Sequence, residues 1–410
     1  MEPAILIPKM LRLLSFLLAL SLSLAAEDWP QWRGSARDGR SAETGLAKEW
    51  PSGGPPLLWQ SKVLGEGYAS FAVAGGRLYT QGQKDGQQFV IALDATTGKS
   101  LWETANGDTY ADGRGGGPRG TPTLDNGRLY ALGSSGNLIC LEAEAGKSVW
   151  EVNLLRKYGG RNIRWGLSES PLIDGEKIIV TPGGSSAAVV ALNKSDGSLI
   201  WKSESDEAGY SSAVVAEVGG RRMYVLLTGD AAIGLSAESG ELLWRYANVA
   251  NGTANVATPV VKGDHVFVSS DYGTGGALLK LSRSGDGVRA DEVYFSREMR
   301  NHYSSSVLVG DYLYGFSSRI FTAMNFMTGD VGWKDRSVGK GQVIFADGNL
   351  YLQGEDGVVG LVTPDPGEYK EMSRFDVGRG NFPTWTLPVI ADGRLYIRDQ
   401  DLLRCYDVKE

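Results

Sequence analysis

The feature that most limits the folds open to this chain is a repeated unit, clearest between Leu124 and Trp150. Leu124-Asp125-Asn126-Gly127-Arg128-Leu129-Tyr130 leads into Ala131-Leu132-Gly133 and a Ser134-Ser135-Gly136 turn. Asn137-Leu138-Ile139-Cys140-Leu141-Glu142 follows, then a turn at Ala145-Gly146-Lys147 and the strand Ser148-Val149-Trp150. Short apolar runs broken by Gly, Asn, Asp and Ser predict strands joined by tight turns. Nothing in the unit is long enough, or has the 3.6-residue period, for a helix. A meander of about four strands is not stable alone, so units must pack on one another.

The unit recurs. Its second strand carries Tyr79, Tyr130, Tyr224, Phe267, Tyr314, Tyr351 or Tyr396, with Ile179 as the aliphatic copy. Its third strand carries a small residue, as at Ala92, Cys140, Ala191, Gly234, Ala323, Gly360 and Cys405, and Lys280 stands as the exception. A turn glycine then precedes a tryptophan by four residues: Gly98 and Trp102, Gly146 and Trp150, Gly197 and Trp201, Gly240 and Trp244, Gly329 and Trp333. The spacing drifts between about 37 and 51 residues, the length of a four-stranded propeller blade. The predicted fold is therefore all-β: an eight-bladed β-propeller of four-stranded antiparallel blades over residues 57–408.

The chain ends supply the closure. Leu57-Leu58-Trp59-Gln60 reads as the fourth strand of a unit lacking its first three, and Pro388 to Asp407 as three strands lacking a fourth. Pairing them completes the ring and removes two open sheet edges. Residues 27–56, with Trp29-Pro30-Gln31-Trp32-Arg33-Gly34, are expected to form an arm packed on the propeller, its aromatics serving as docking anchors.

Residues 1–26 differ. Lys9 and Arg12 precede an apolar run, Leu13 to Leu24, and small residues follow at Ala25 and Ala26. The pattern predicts a signal peptide, cleaved after Ala25 or Ala26, and an exported periplasmic or secreted monomer with no transmembrane anchor. The net charge of −7, without a Lys/Arg block, argues against nucleic acid as partner. With two histidines in the chain, a histidine-rich metal site is excluded. Cys140 and Cys405, at equivalent small-residue positions, are expected to be buried free thiols, since sites in separate blades are too far apart to bridge.

Ala92-x-Asp94-x-x-Thr97-Gly98-Lys99-x-x-Trp102 resembles the repeat of the pyrroloquinoline-quinone (PQQ) repeat family of eight-bladed propellers. That family includes quinoprotein alcohol dehydrogenases and BamB, the propeller subunit of the outer-membrane β-barrel assembly machine. The resemblance implies that Trp59, Trp102, Trp150, Trp201, Trp244 and Trp333 dock on neighbouring blades. It implies PQQ and Ca²⁺ only where the quinoprotein site is present. This sequence has no adjacent cysteine pair and no Cys-x-x-Cys-His, and no calcium ligand or base can be carried over from the family pattern. No metal site is assigned, and no cofactor is expected, with PQQ and Ca²⁺ as the alternative.

A propeller ligand site would lie at one mouth of the central channel, on segments just before each innermost strand. Arg119 and Lys340 are candidates to meet an anion or carbonyl. Glu169 is the one candidate for a base or cation ligand, and Asn255 and His302 add polar groups. Trp165, Tyr210, Tyr303 and Trp385 offer stacking surfaces. The glycine-rich stretch Gly113 to Gly120 is expected as a loop over the mouth. Three functions stand open. The chain is a non-catalytic binding or assembly scaffold in the cell envelope, a quinoprotein dehydrogenase with a divergent site, or a carbohydrate-binding propeller. The partners follow: envelope proteins, or a small molecule or sugar at the channel mouth.

Overall fold

A computed structural model describes residues 28–410; the predicted signal peptide lies outside the described residues. Among the described residues the chain forms eight sheets, seven of four strands and one of five. In blade one the order from the axis outward is Ala72–Ala74, Arg77–Lys84, Gln87–Asp94 and Ser100–Asp108. Blades two to seven repeat this meander, and their innermost strands begin at Thr123, Leu172, Val214, Val260, Val307 and Gly341. Blade eight is built from both chain ends: Val389–Ala391, Arg394–Asp399 and Leu402–Asp407 are completed by Leu57–Ser61. Trp59 stands opposite Cys405 and Gln60 opposite Arg404, antiparallel. The ring is thus closed by backbone hydrogen bonds between segments from opposite chain ends.

The repeat has a physical meaning visible in the register. The small residue of the third strand faces the tryptophan of the fourth: Ala92 with Trp102, Cys140 with Trp150, Ala191 with Trp201, Gly234 with Trp244, Ala323 with Trp333. A one-residue register shift beside each tryptophan turns the outer strand, as bulges do. The indole then reaches the next blade. Trp102 Nε1 donates to Ala143 O at 3.1 Å, Trp150 Nε1 to Lys194 O at 3.1 Å and Trp333 Nε1 to Asp365 O at 2.7 Å. The ring lies against the next blade's turn glycine. A Cβ on Gly240 (φ +75°) would stand 2.5 Å from Trp201, and one on Gly146 (φ +67°) 2.5 Å from Trp102. Left-handed backbone and close approach therefore both demand glycine there.

Two blades modify the rule. In blade five Tyr294 takes the tryptophan's place and its hydroxyl donates to Phe326 O at 2.9 Å. Its cross-strand partner is Leu278, so Lys280 is not the counterpart of the small residue; it pairs two positions on, with Asp291. The long hairpin Gly275–Ser284 and Gly287–Ser296 displaces the pattern. Trp244 correspondingly keeps its N–H inside its own blade, on Met223 Sδ at 3.4 Å. In blade seven Gly360 pairs with Leu352 and Arg374, and Tyr351 with Leu361. One helical turn, Leu154–Tyr158, follows blade two, capped by Asn153 and ended by Gly159 at φ +70°.

The segment after Asp28 crosses the channel from the end that carries the first hairpin turns. Trp29 pairs with Val73 of blade one through two hydrogen bonds of 2.8 Å. Arg40–Ser41 runs parallel to Gly341–Ala346 and makes the fifth strand of blade seven. Between them two arginines enter the ring. Arg33, 1% exposed, donates to Ser306 O at 2.7 Å and Asp38 O at 2.8 Å. Arg37, 3% exposed, donates to Ser170 O at 2.8 Å and Pro171 O at 3.1 Å. A buried charge is tolerated when its donors find acceptors, and here carbonyls of blades three and six take most of them, Arg37 Nε being left without a partner. Among the described residues no helix is long and apolar enough to cross a membrane.

Candidate functional site

Hydroxyl residues stand just before most of the innermost strands and hydrogen-bond across neighbouring blades. Ser170 Oγ accepts from Thr121 N, Ser212 Oγ from Ser170 N, and Ser305 Oγ from Thr258 N, each at 2.9 Å. Ser70 Oγ donates to Leu387 O at 2.7 Å across the closure. This belt of hydroxyls ties blade to blade around the axis. Above it the approach segments converge on a cavity of about 670 Å³. Trp32 of the arm forms its floor, with Nε1 donating to Thr258 Oγ1 at 2.9 Å.

Seven of the nine residues proposed from sequence line this cavity: Arg119, Trp165, Tyr210, His302, Tyr303, Lys340 and Trp385. The other two do not. Glu169 is buried among the strand starts, where its carboxylate accepts from Thr181 N and, at 2.9 Å, from Thr181 Oγ1. Burial pushes its carboxyl up to about 7 against those hydrogen bonds and the pull of Arg37. Asn255 is consumed by its surroundings: Nδ2 donates to Gly229 O at 2.8 Å and Oδ1 accepts from Asn251 N at 2.9 Å.

One wall is a run of leaning rings. Tyr68 and Trp385 have centroids 5.2 Å apart, Trp385 and Tyr303 5.6 Å, His302 and Tyr303 5.8 Å, and Tyr272 and His302 5.0 Å. Opposite them stand Trp165 and Tyr210, 5.7 Å apart. Cations sit on these rings: Arg119 over Tyr68 at 4.7 Å, Arg164 over Trp165 at 5.0 Å and Lys340 over Tyr303 at 5.3 Å. Arg119 is held by Trp165 O and Gly115 O, each at 3.0 Å. Six cations and two carboxylates line the cavity. Both carboxylates face an arginine: Asp356 bonds Arg379 at 2.5 Å, and Glu355 lies 3.8 Å from Arg319 while accepting from Trp385 Nε1 at 3.1 Å.

The polar groups here are tuned toward neutrality or left without partners. Burial, aided by Lys340, pushes His302 down to about 4, so the imidazole is neutral near pH 7. Burial also lowers Lys340 and Arg119 and raises Tyr68 and Tyr210 to about 12. His302 Nδ1 and Gln342 Oε1 are buried without a hydrogen-bond partner. His302 bonds none of the neighbouring serines; Ser306 Oγ is instead committed to Asn301 Oδ1 at 3.1 Å. Among the described residues, His302 is therefore not paired with a serine.

Holding PQQ with Ca²⁺ requires oxygen ligands that can converge on the ion. The mouth carboxylates are engaged by arginines, Glu169 is enclosed by Thr181, and the Asn255 amide is spent on backbone. Among the described residues no group of three or more His, Cys, Asp or Glu could hold a metal ion. The residues present do not fit a calcium-held quinone.

Fold and site together define an eight-bladed propeller of PQQ-type repeats with a cationic, aromatic mouth. The chain belongs to the family described as outer membrane protein assembly factor BamB, whose model matches residues 52–114 and 86–335. It is 24% identical to the outer membrane protein assembly factor BamB of Escherichia coli K12 over 296 residues, 68% of this chain and 71% of that protein. A shorter match to BamB of Xanthomonas campestris is 33% identical over 106 residues, 25% of each chain. Among solved structures, BamB from Moraxella catarrhalis is similar with a TM-score of 0.64 at 15% identity, covering 86% of this chain and 99% of that one. The quinohemoprotein alcohol dehydrogenase ADHIIG of Pseudomonas putida HK5 has a TM-score of 0.64 at 12% identity, covering 93% of this chain and 80% of that one. At such identities the structural likeness shows the fold alone.

Proposed function

We propose that this chain is a non-catalytic binding scaffold of the cell envelope, and that the cationic, aromatic mouth is its ligand-facing surface. The observation that carries the reading is the state of Glu169. The carboxylate best placed in sequence to act as base or calcium ligand is buried against Thr181 and does not line the cavity. The mouth therefore offers cations and ring faces, which bind, while its two carboxylates are each paired with an arginine. Family membership supports an envelope setting, since the matched relatives are named outer membrane protein assembly factors. Export through residues 1–26 and a periplasmic or secreted monomer are part of the same proposal.

The test has two arms. The purified protein is titrated with PQQ and Ca²⁺ and assayed for dye-linked oxidation of an alcohol panel. In parallel, a photo-crosslinker at position 164 is activated in cells and the adducts are identified. The scaffold reading expects no turnover and an adduct with an envelope component. Alcohol oxidation abolished by Glu169→Ala would overturn it in favour of a quinoprotein dehydrogenase.

A further inference from the structure

We propose that the channel mouth binds an acidic oligosaccharide, its sugar rings packed on the aromatic wall and its carboxylate or sulfate groups paired with the rim cations. The inference rests on the reading of the mouth as a binding surface and names the ligand class.

Charge comes first. The chain carries a net −7, yet the cavity concentrates six cations against two carboxylates. Asp112 also acts on Arg119, and Asp271 on His302 and Lys340, and they still leave an excess of positive charge. Arg114, Arg164 and Lys340 form no salt bridge among the described residues, although Glu355 and Asp271 act on Lys340 at longer range; Arg319 and Arg379 do form one. Focused positive potential in a cleft selects anions.

The distribution of that charge says which anion. The cations come from separate places around the ring: Arg114 and Arg119 before blade two, Arg164 before blade three, Arg319 in a blade-six turn, Lys340 before blade seven. A compact polyphosphate needs cations converging on one point. Cations spread around the rim suit a ligand with one negative charge per unit along its length.

The rings say what lies between those charges. Neighbouring rings lean at 31° and 35° from Tyr68 through Trp385 to Tyr303, where His302 stands edge-on at 85° and Tyr272 in turn leans on it at 39°. That makes a curved wall; a flat polycyclic arene needs a parallel slot. Ring faces are electron-rich, so the C–H faces of pyranose chairs pack on them. Hydroxyl groups between the chairs meet His302, a lining residue whose ring makes no hydrogen bond among the described residues. A neutral His302 can exchange hydrogen bonds with a hydroxyl at no charge cost. The volume, about 670 Å³, lies in the usual range of small-ligand sites, and the floor made by Trp32 closes it below.

The experiment is calorimetry of the full chain with tetragalacturonate, chondroitin sulfate tetrasaccharide, cellotetraose, hexaglutamate and PQQ, at low and high salt. At least one acidic tetrasaccharide is expected to bind ten-fold or more tighter than cellotetraose, and to weaken five-fold or more between 50 and 500 mM salt. Trp385→Ala and Arg164→Glu are each expected to lower that affinity ten-fold or more. Arg164 is exposed, so its variant folds even if the tryptophan variant does not. Equal binding of cellotetraose, tighter binding of hexaglutamate, an affinity untouched by Arg164→Glu, or no binding of either acidic tetrasaccharide would overturn the inference. Failure of the sugars without alcohol oxidation leaves the scaffold reading intact; PQQ binding with turnover removes both.

Discussion

The rings of Tyr68 and Trp385 lie 5.2 Å apart at 31°, although one precedes the first blade and the other the last. Thr386 Oγ1 donates to Tyr68 O at 3.3 Å beside them. The mouth therefore exists only because the ring closes: its aromatic wall is continuous across the seam between the two ends of the chain. Stability and binding should fail together when the seam is opened.

The arm is a structural plug. Arg33→Ala removes charged donors from Ser306 O and Asp38 O and leaves buried carbonyls unpaired. Bonds of this kind are worth about 1.5–3 kcal/mol each to a charged partner, so a loss of about 3 kcal/mol is expected. Urea unfolding monitored by tryptophan fluorescence reads it, and the arm should become accessible to protease before the blades unfold.

Blade contacts depend on the turn glycines. Gly240→Ala places a methyl against Trp201 at a backbone φ of +75°. Strain plus displacement of the indole should lower stability by about 2–3 kcal/mol. Gly348→Ala, also left-handed (φ +82°) but with open space around it, should lower it by about 1 kcal/mol. Thermal melts of the two variants separate the packing term from the backbone term.

Glu169 makes the fold sensitive to pH. Its carboxyl is raised by burial from 4.5 to about 7 in the folded protein. Below about pH 4.5 both states hold the proton and the residue exerts no penalty. Between 4.5 and 7 the unfolded chain releases the proton while the fold retains it, so stability falls as pH rises and levels off above 7. Compared with Glu169→Gln, the native protein should lose roughly 2–3 kcal/mol across that window, seen in urea midpoints at pH 4.5, 6 and 7.5.

Cys140 and Cys405 are free and buried, with thiols pushed up to about 11 and about 12. A thiol reagent at pH 8 should label neither in the native protein and both in denaturant, because the thiolate is the reacting form. Labelling of Cys405 under native conditions would mean that blade eight opens.

Much of the architecture was legible because it is written locally. Turn glycines, the small residue and the tryptophan recur within each unit, and the small residue is small because the indole lies opposite it. Blade five misled the count at Lys280 because a longer hairpin shifts the register, which composition does not reveal. The mouth was legible in the segments that lead into each blade, which supplied Arg119, Trp165 and Trp385. Tyr272, Arg319 and Glu355 were missed because they sit in turns between second and third strands. In an up-and-down meander those turns fall at the same end as the blade-to-blade connections, so strand parity alone could have found them. Trp32 was not legible as the cavity floor, since nothing local shows that the arm threads the ring. Glu169 looked exposed to the mouth, but its partner Thr181 comes from the next strand of its own blade.

Closure of the ring is tested most directly by hydrogen exchange of the peptide spanning Leu57–Ser61. Its hydrogen bonds to Leu402–Asp407 predict slow exchange, lost in the same cooperative step as blade eight. Exchange complete within seconds, with the remaining blades still protected, would contradict a ring closed at that seam and the mouth assembled across it.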